Sequence, residues 1–130
     1  MIIILISIAL LSNACRASEN YDNEERQFNK LYLEIVNNID YNDTQGSIKI
    51  LQSTENKAKI EQLKILLDSM ENYLRKEKKE VYDVYLKQYT GIEFLSDIEK
   101  EWKDMSVDER SRATTEIGII ELSKTIKANK

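Results

Sequence analysis

The chain has 130 residues, with 19 basic and 23 acidic side chains, a net charge of −4, no histidine, no proline and one cysteine. Without histidine, neither a Ser-His-Asp nor a Cys-His catalytic arrangement can form, and no imidazole metal site is available. The length allows one domain, and the acidic balance argues against nucleic acid as the main partner.

The first fifteen residues, MIIILISIALLSNAC, have a pattern typical of a targeting signal. The run from Ile2 to Leu11 is apolar except for Ser7. It is shorter than the roughly 20 residues that span a bilayer and has the length of a signal-peptide core, roughly 7–15 residues. We therefore predict that residues 1–14 form a signal peptide; the alternative is a buried N-terminal helix with a core cysteine.

The end of this segment, LSNAC, resembles a relaxed bacterial lipobox, because a small residue directly precedes a lone cysteine. The resemblance implies cleavage between Ala14 and Cys15, with Cys15 becoming the lipidated first residue and the bilayer a partner. The mature chain then has no free thiol. Because the mature chain is acidic, we expect no electrostatic attraction to anionic lipid and assign the attachment to the acyl chains.

Residues 15–23 are polar and aperiodic, which predicts a lipidated tether, and residues 24–130 form a single helical domain. A first helix is predicted from about Asn23 to Asn38, followed by a polar loop that ends at Gly46. This loop faintly resembles a calcium loop. An EF-hand counted from Asp40 would need glycine and glutamate where Gln45 and Leu51 stand, so we predict a polar turn and no metal.

A long second helix is predicted by apolar residues at alternating steps of three and four. They are Ile60, Leu63, Leu67, Met70, Leu74, Val81 and Val84. Ser53 or Thr54 can cap its start. Residues 75–80, RKEKKE, interrupt the pattern without glycine or proline, so the helix either continues through them or bends there. Because Lys and Glu are good helix formers, we favour a continuous helix that ends at a left-handed Gly91. The Leu63–Val84 seam has two interpretations, intramolecular core packing or self-association.

Two further helices complete the pattern. The first is predicted from about Ile92 to Met105, and the sequence Ser106-x-x-Glu109 is a capping box for a last helix from Val107 to about Lys127. The last helix has two adjacent apolar stripes: Ala113, Ile117, Ile120 and Ile119, Leu122, Ile126. The fold class is therefore all-α, a bundle of about four helices with one long central helix.

An aromatic stripe on the long helix is a possible partner surface. Tyr82, Tyr85 and Tyr89 follow at steps of three and four, directly after a basic run that begins at Arg75. Such a surface can bind anionic chains by charge and stacking. The alternative is that the three rings pack within the bundle with their hydroxyls at the rim.

No catalytic or cofactor motif is present in the sequence. The glycines at 46, 91 and 118 are isolated, which excludes the nucleotide-binding loops that need clustered glycines. Acidic pairs such as Glu24 and Glu25 are expected as solvated helix faces in so acidic a chain. We predict no enzyme activity, no cofactor and no metal.

The relaxed lipobox, the helical acidic mature chain and a composition rich in Ile, Lys, Asn and Glu together resemble a known class of proteins. These are small plasmid- or prophage-encoded lipoproteins of Borrelia, of the haemolysis-accessory (holin-accessory) or orf-D type. The resemblance implies a lipid anchor at Cys15 in the cell envelope, on the outer surface or the periplasmic face. It also implies a non-enzymatic role supporting a holin-like or haemolysin-like membrane protein.

Two functions follow as hypotheses. One is an accessory protein for a membrane-active partner. The other is an outer-surface lipoprotein that binds a host ligand.

Overall fold

The structure is a computed structural model that describes residues 21–128, with side chains as far as residue 126. Within this range it is all-helical and contains no strand, which confirms the all-α part of the predicted fold class. The helices are α1 (21–36), α2 (Thr44–Leu51), α3 (Thr54–Glu77), α4 (Lys79–Ser96) and α5 (Val107–Ala128), with a short 3₁₀ helix at Trp102–Asp104. The described residues thus hold five α-helices where the sequence predicts about four.

Helix α1 forms where its apolar periodicity predicts it. Phe28, Tyr32, Ile35 and Val36 are fully buried along one side. The helix ends at residue 36, two residues before the predicted end, and Ile39 remains in the core beyond it.

Helix α2 is not predicted, because its sequence overlaps the polar loop. Asp43 accepts a hydrogen bond from the Gly46 amide at 3.0 Å and so caps the helix. A β-carbon at residue 46 would stand 2.1 Å from the Asp43 carboxylate, so glycine leaves room for the cap. Ile48 and Leu51 are buried, and their contact with the rest of the core holds this short segment helical.

The favoured continuous helix is wrong, because the chain breaks at Lys78, within the run where the alternative placed a bend. Lys78 leaves the helical region at φ −147° and ψ 64°, while its N–H still donates to the Leu74 carbonyl at 2.7 Å. Its own carbonyl accepts from the Val81 and Tyr82 amides, which starts α4. One residue therefore separates two helices. Lys and Glu are good helix formers, but burial of α4 against the bundle overrides their propensity here.

The break makes α3 and α4 an antiparallel hairpin. Near the turn, the Arg75 guanidinium lies 4.9 Å from the centre of the Tyr82 ring. At the opposite end, the Gln52 side-chain amide donates to the Ile98 carbonyl at 2.6 Å. A residue two positions before α3 thus lies beside a residue two positions after α4, which a continuous helix could not achieve.

Two boundaries after the hairpin also differ from prediction. Gly91 is a buried residue inside α4, without the left-handed conformation expected of a cap. Its missing side chain lets Glu116 of α5 approach, since a β-carbon would lie 2.4 Å from the Glu116 carboxylate. Helix α4 therefore continues to Ser96, and the predicted helix from Ile92 to Met105 is reduced to the 3₁₀ turn.

The last helix begins as predicted, with the capping box formed. The Glu109 amide donates to the Ser106 hydroxyl at 3.1 Å, and the Ser106 amide donates to the Glu109 carboxylate at 3.2 Å. The hydrogen bond from Lys100, together with those from Ser106, lowers the pKa of Glu109. Arg110 donates to the Trp102 carbonyl at 2.9 Å and ties the 3₁₀ turn to α5, so the partly buried Trp102 anchors this turn.

The predicted Leu63–Val84 seam is divided between the two helices of the hairpin. Its members on α3 are buried in the core: Ile60, Leu63, Leu67, Met70 and Leu74. Val81 is half-buried, and Val84 is 52% exposed on α4. The seam is therefore not one continuous surface, and its α3 part packs intramolecularly, as the core interpretation holds.

We expect Leu67→Ala to lower the free energy of unfolding by about 2–5 kcal/mol, because it leaves a cavity between α3 and its neighbours. Ile65→Ala on the same helix is the control, since Ile65 is 65% exposed. Chemical denaturation measures the first effect and sedimentation the oligomeric state. A loss of self-association in Leu67→Ala without loss of stability would contradict the core assignment.

Candidate functional site

The last helix carries the most extended apolar surface in the described part of the chain. Large apolar side chains with about half or more of their surface exposed are Tyr41, Ile65, Val84, Val107, Ile119, Leu122 and Ile126. Isolated exposed apolar residues are ordinary in soluble domains. Three of these residues, however, lie on one face of α5, where such a grouping is typical of an interaction site.

Helix α5 is apolar on two sides. Its inner side packs Ala113, Ile117 and Ile120 into the core, each with at most 2% of its surface exposed. Its outer side presents Ile119, Leu122 and Ile126, which we name the α5 apolar stripe, with exposures of 48%, 67% and 58%. Steps of three and four residues align these three side chains along the helix.

A groove borders the stripe on the side of the α1–α2 connection. It has a volume of about 530 Å³, and its lining includes Tyr41, Gly118 and Leu122. The Tyr41 amide donates to the Glu121 carboxylate at 3.1 Å, which holds this connection against α5. A β-carbon at residue 118 would be 3.4 Å from the Tyr41 ring, so the ring lies directly beside the helix backbone.

A second groove borders the stripe on the side of α1 and α4. It has a volume of about 440 Å³, and Leu33, Val84 and Ile126 supply its apolar lining. Arg26 and Lys30 stand among its polar residues. The stripe is therefore a ridge between two grooves. The side chains of another helix can interdigitate with a surface of this shape.

Two charged residues between Ile119 and Ile126, Glu121 and Lys124, are paired within the bundle. Lys124 lies 3.2 Å from the Glu121 carboxylate and donates to the Ile39 carbonyl at 2.6 Å. Glu121 also accepts from Tyr41. Both side chains are therefore engaged in contacts within the bundle, and the exposed surface between Ile119 and Ile126 is mainly apolar.

The tyrosines predicted as a possible partner surface are buried instead. Tyr82, Tyr85 and Tyr89 have 6–7% of their surface exposed. The Tyr85 hydroxyl donates to Glu25 of α1, and the Tyr89 hydroxyl donates to Glu93 on its own helix. The rings therefore pack within the bundle, and the structure brings them together as core rather than as an accessible ligand platform.

Burial also sets the acid–base behaviour of these aromatic residues. Burial raises the pKa of Tyr85 and of Tyr89, and hydrogen bonds to carboxylates add to the rise. For Tyr32, burial raises the pKa to about 12, although its hydrogen bond with Ser123 acts in the opposite direction. A neutral hydroxyl is thus required in the folded state.

The acidic loop after α1 acts in helix capping. Asp43 caps α2, and the Asp40 carboxylate accepts from the Asn42 amide at 2.9 Å, as in a polar turn. No group of three or more metal-ligating side chains occurs among residues 21–126.

The predicted signal peptide, the cleavage site at Ala14 and the lipidation site at Cys15 lie outside the described residues. Among residues 21–128, none of the helices combines the length and apolar character needed to cross a bilayer.

Sequence analysis identified both stripes of α5 but did not single out the outer one as a site. The signal in the sequence was a second apolar face. A helix in a small bundle needs one apolar face for the core, and α5 has two. Periodicity alone could not tell which of the two faces the core.

Comparison with family models, with curated proteins and with solved structures finds no match for this chain.

Replacing Tyr32 with Phe should make the protein less sensitive to alkali. The pKa of Tyr32 is about 12 in the folded protein and about 10 in the unfolded chain. This difference contributes stability to the folded state that is present below pH 10 and lost as the pH rises to 12. The full contribution is roughly 2–3 kcal/mol. Denaturation at a series of pH values above 9 measures the slope. Tyr41→Phe, which removes an exposed hydroxyl, is the control, and equal slopes for Tyr32→Phe and wild type would contradict the assignment.

Proposed function

We propose that this protein is a membrane-anchored, non-enzymatic accessory protein that binds an apolar helix of another envelope protein on the α5 apolar stripe. The observation that carries the proposal is the exposure of Ile119, Leu122 and Ile126 on a helix whose opposite side already packs into the core. Leaving three large aliphatic side chains in water is unfavourable unless a partner covers them.

The spacing of the outer face favours a helical partner. Exposed Thr115 precedes the stripe, so that Thr115, Ile119, Leu122 and Ile126 follow at steps of four, three and four. This is the repeat with which two helices pack side chains into each other's grooves. The two grooves beside the stripe provide room for the flanking residues of such a partner.

The pairing of Glu121 and Lys124, the two charged residues between Ile119 and Ile126, supports a partner that is itself apolar. Glu121 and Lys124 are paired with each other and with the backbone of the α1–α2 connection. A small membrane protein has helices of this chemistry. The resemblance to haemolysis-accessory lipoproteins implies the same class of partner.

Anchoring at Cys15 would hold the stripe next to the membrane that contains the partner. A single acyl chain gives only weak membrane binding, whereas several chains on one cysteine give stable attachment. Lipidation would therefore raise the local concentration of the domain around a membrane helix, and weak contacts on the stripe would then suffice.

Leu122→Glu should abolish partner binding while the bundle stays folded. An interface that buries this carboxylate without a counter-charge loses affinity. We expect a loss of at least tenfold, which corresponds to about 1.4 kcal/mol of binding free energy. The measurement is recovery of a tagged, small holin-like membrane protein with this protein, after detergent extraction of cells that express both.

The matched control is Val107→Glu, because Val107 is 81% exposed but lies at the start of α5, away from the stripe. Equal recovery with both variants would contradict the proposal. A change in the oligomeric state of the isolated protein on Leu122→Glu would show that the stripe pairs copies of this chain instead.

Cys15→Ala should leave the domain folded but without its lipid. We expect incorporation of a palmitate analogue in wild type and none in the variant, with the variant released from membranes by an alkaline wash. Ser12→Ala, which keeps the cysteine, is the control. Retention of Cys15→Ala in the washed membrane fraction would contradict the lipobox interpretation.

A further inference from the structure

The first residue that the structure describes, Tyr21, lies next to the turn between α3 and α4. The ring of Tyr21 lies 4.4 Å from the ring of Tyr73 near the end of α3. The Lys78 ammonium, at the break itself, lies 5.5 Å from the centre of the Tyr21 ring. The N-terminal segment thus enters the bundle at this turn.

The end of α5 lies at the same end of the bundle. Ile126 shares a groove with Glu25 and Arg26 of α1 and with Val84 near the start of α4. The opposite end is formed by the Gln52–Ile98 contact and the 3₁₀ turn that follows α4. The 18 residues of α4 separate the two ends by about 27 Å, at 1.5 Å per residue.

Exposed basic side chains mark the turn. Residues 75–80 contain four basic and two acidic side chains, all exposed. We name Arg75, Lys76, Lys78 and Lys79 the basic turn. Arg75 is paired with Glu71 at 3.0 Å, whereas Lys76, Lys78 and Lys79 form no ion pair with any other residue that the structure describes.

We propose that the basic turn faces the lipid bilayer and that its lysines contact the phosphates of anionic lipid headgroups. The inference rests on the proposed lipidation of Cys15. Six residue steps from Cys15 to Tyr21 reach at most about 22 Å. This reach is less than the length of α4. If the opposite end of the bundle faced the membrane and the turn pointed away, the tether would be too short to connect Tyr21 with the bilayer.

Residues 75–80 carry a net charge of +2, although the whole chain is acidic. The acids closest in sequence to Tyr21 are Asp22, Glu19 and Glu24. The next one, Glu25, accepts a hydrogen bond from the Tyr85 hydroxyl inside the bundle. Asp22 and Glu24 oppose the attraction to phosphate, so the lysines supplement the acyl chains instead of replacing them. Basic residues are attracted to an anionic surface only within about a Debye length of it. The short tether keeps the lysines close to the membrane.

Quenching by nitroxide-labelled lipid tests the orientation in the mature, lipidated protein. Cys15 carries the lipid, so a fluorophore can be placed on a single introduced cysteine. Lys79→Cys labels the basic turn, and Lys103→Cys labels an exposed lysine in the 3₁₀ turn at the opposite end. The protein is reconstituted in phosphatidylcholine vesicles with or without phosphatidylglycerol.

We expect quenching at residue 79 to exceed quenching at residue 103 at least threefold and to increase when phosphatidylglycerol is present. Adding Lys76→Gln and Lys78→Gln should remove that increase, whereas Lys57→Gln and Lys64→Gln, exposed on α3, should not. Equal quenching at the two positions, or no effect of phosphatidylglycerol, would overturn the inference. Failure of the protein to associate with either vesicle would instead overturn the proposed lipid anchor.

Discussion

Burial of the aromatic side of α4 requires the chain to reverse after Glu77. If α3 and α4 formed one continuous helix, Tyr82, Tyr85 and Tyr89 would extend beyond the core that α1 and α3 build. The reversal places the three rings, followed by Ile92 and Leu95, against those helices. Residues 75–80 are polar and exposed, so they lose little by forming the turn, and the burial it permits outweighs their helix propensity.

The reversal also determines what the rest of the molecule can present. It brings the start of α1, the basic turn and the end of α5 to one end of the bundle, and leaves the Gln52–Ile98 contact at the other. Helix α5 then packs its inner side on the core formed by the earlier helices. No later described element follows to cover its outer side, so the α5 apolar stripe stays in solvent.

The two proposed surfaces are consistent with one mode of action. The stripe approaches the end of the bundle where the tether enters, because Ile126 lies in the same groove as the first turns of α1. A lipid at Cys15, lysines on headgroups and an apolar ridge beside them would present the stripe to helices in the same membrane. Each part contributes modestly, and anchoring combines them through effective concentration.

The sequence alone determined the elements whose signals are local. The start of α3 at its Ser53 cap, the capping box at Ser106 and both bounds of α5 to within one residue follow from side chains three or four positions apart. Only the tertiary structure decided that α2 forms, that the chain breaks at Lys78, and which stripe of α5 is buried. Those outcomes depend on contacts between residues distant in the chain, and the free energy of that burial exceeds the small local preferences that a sequence pattern records.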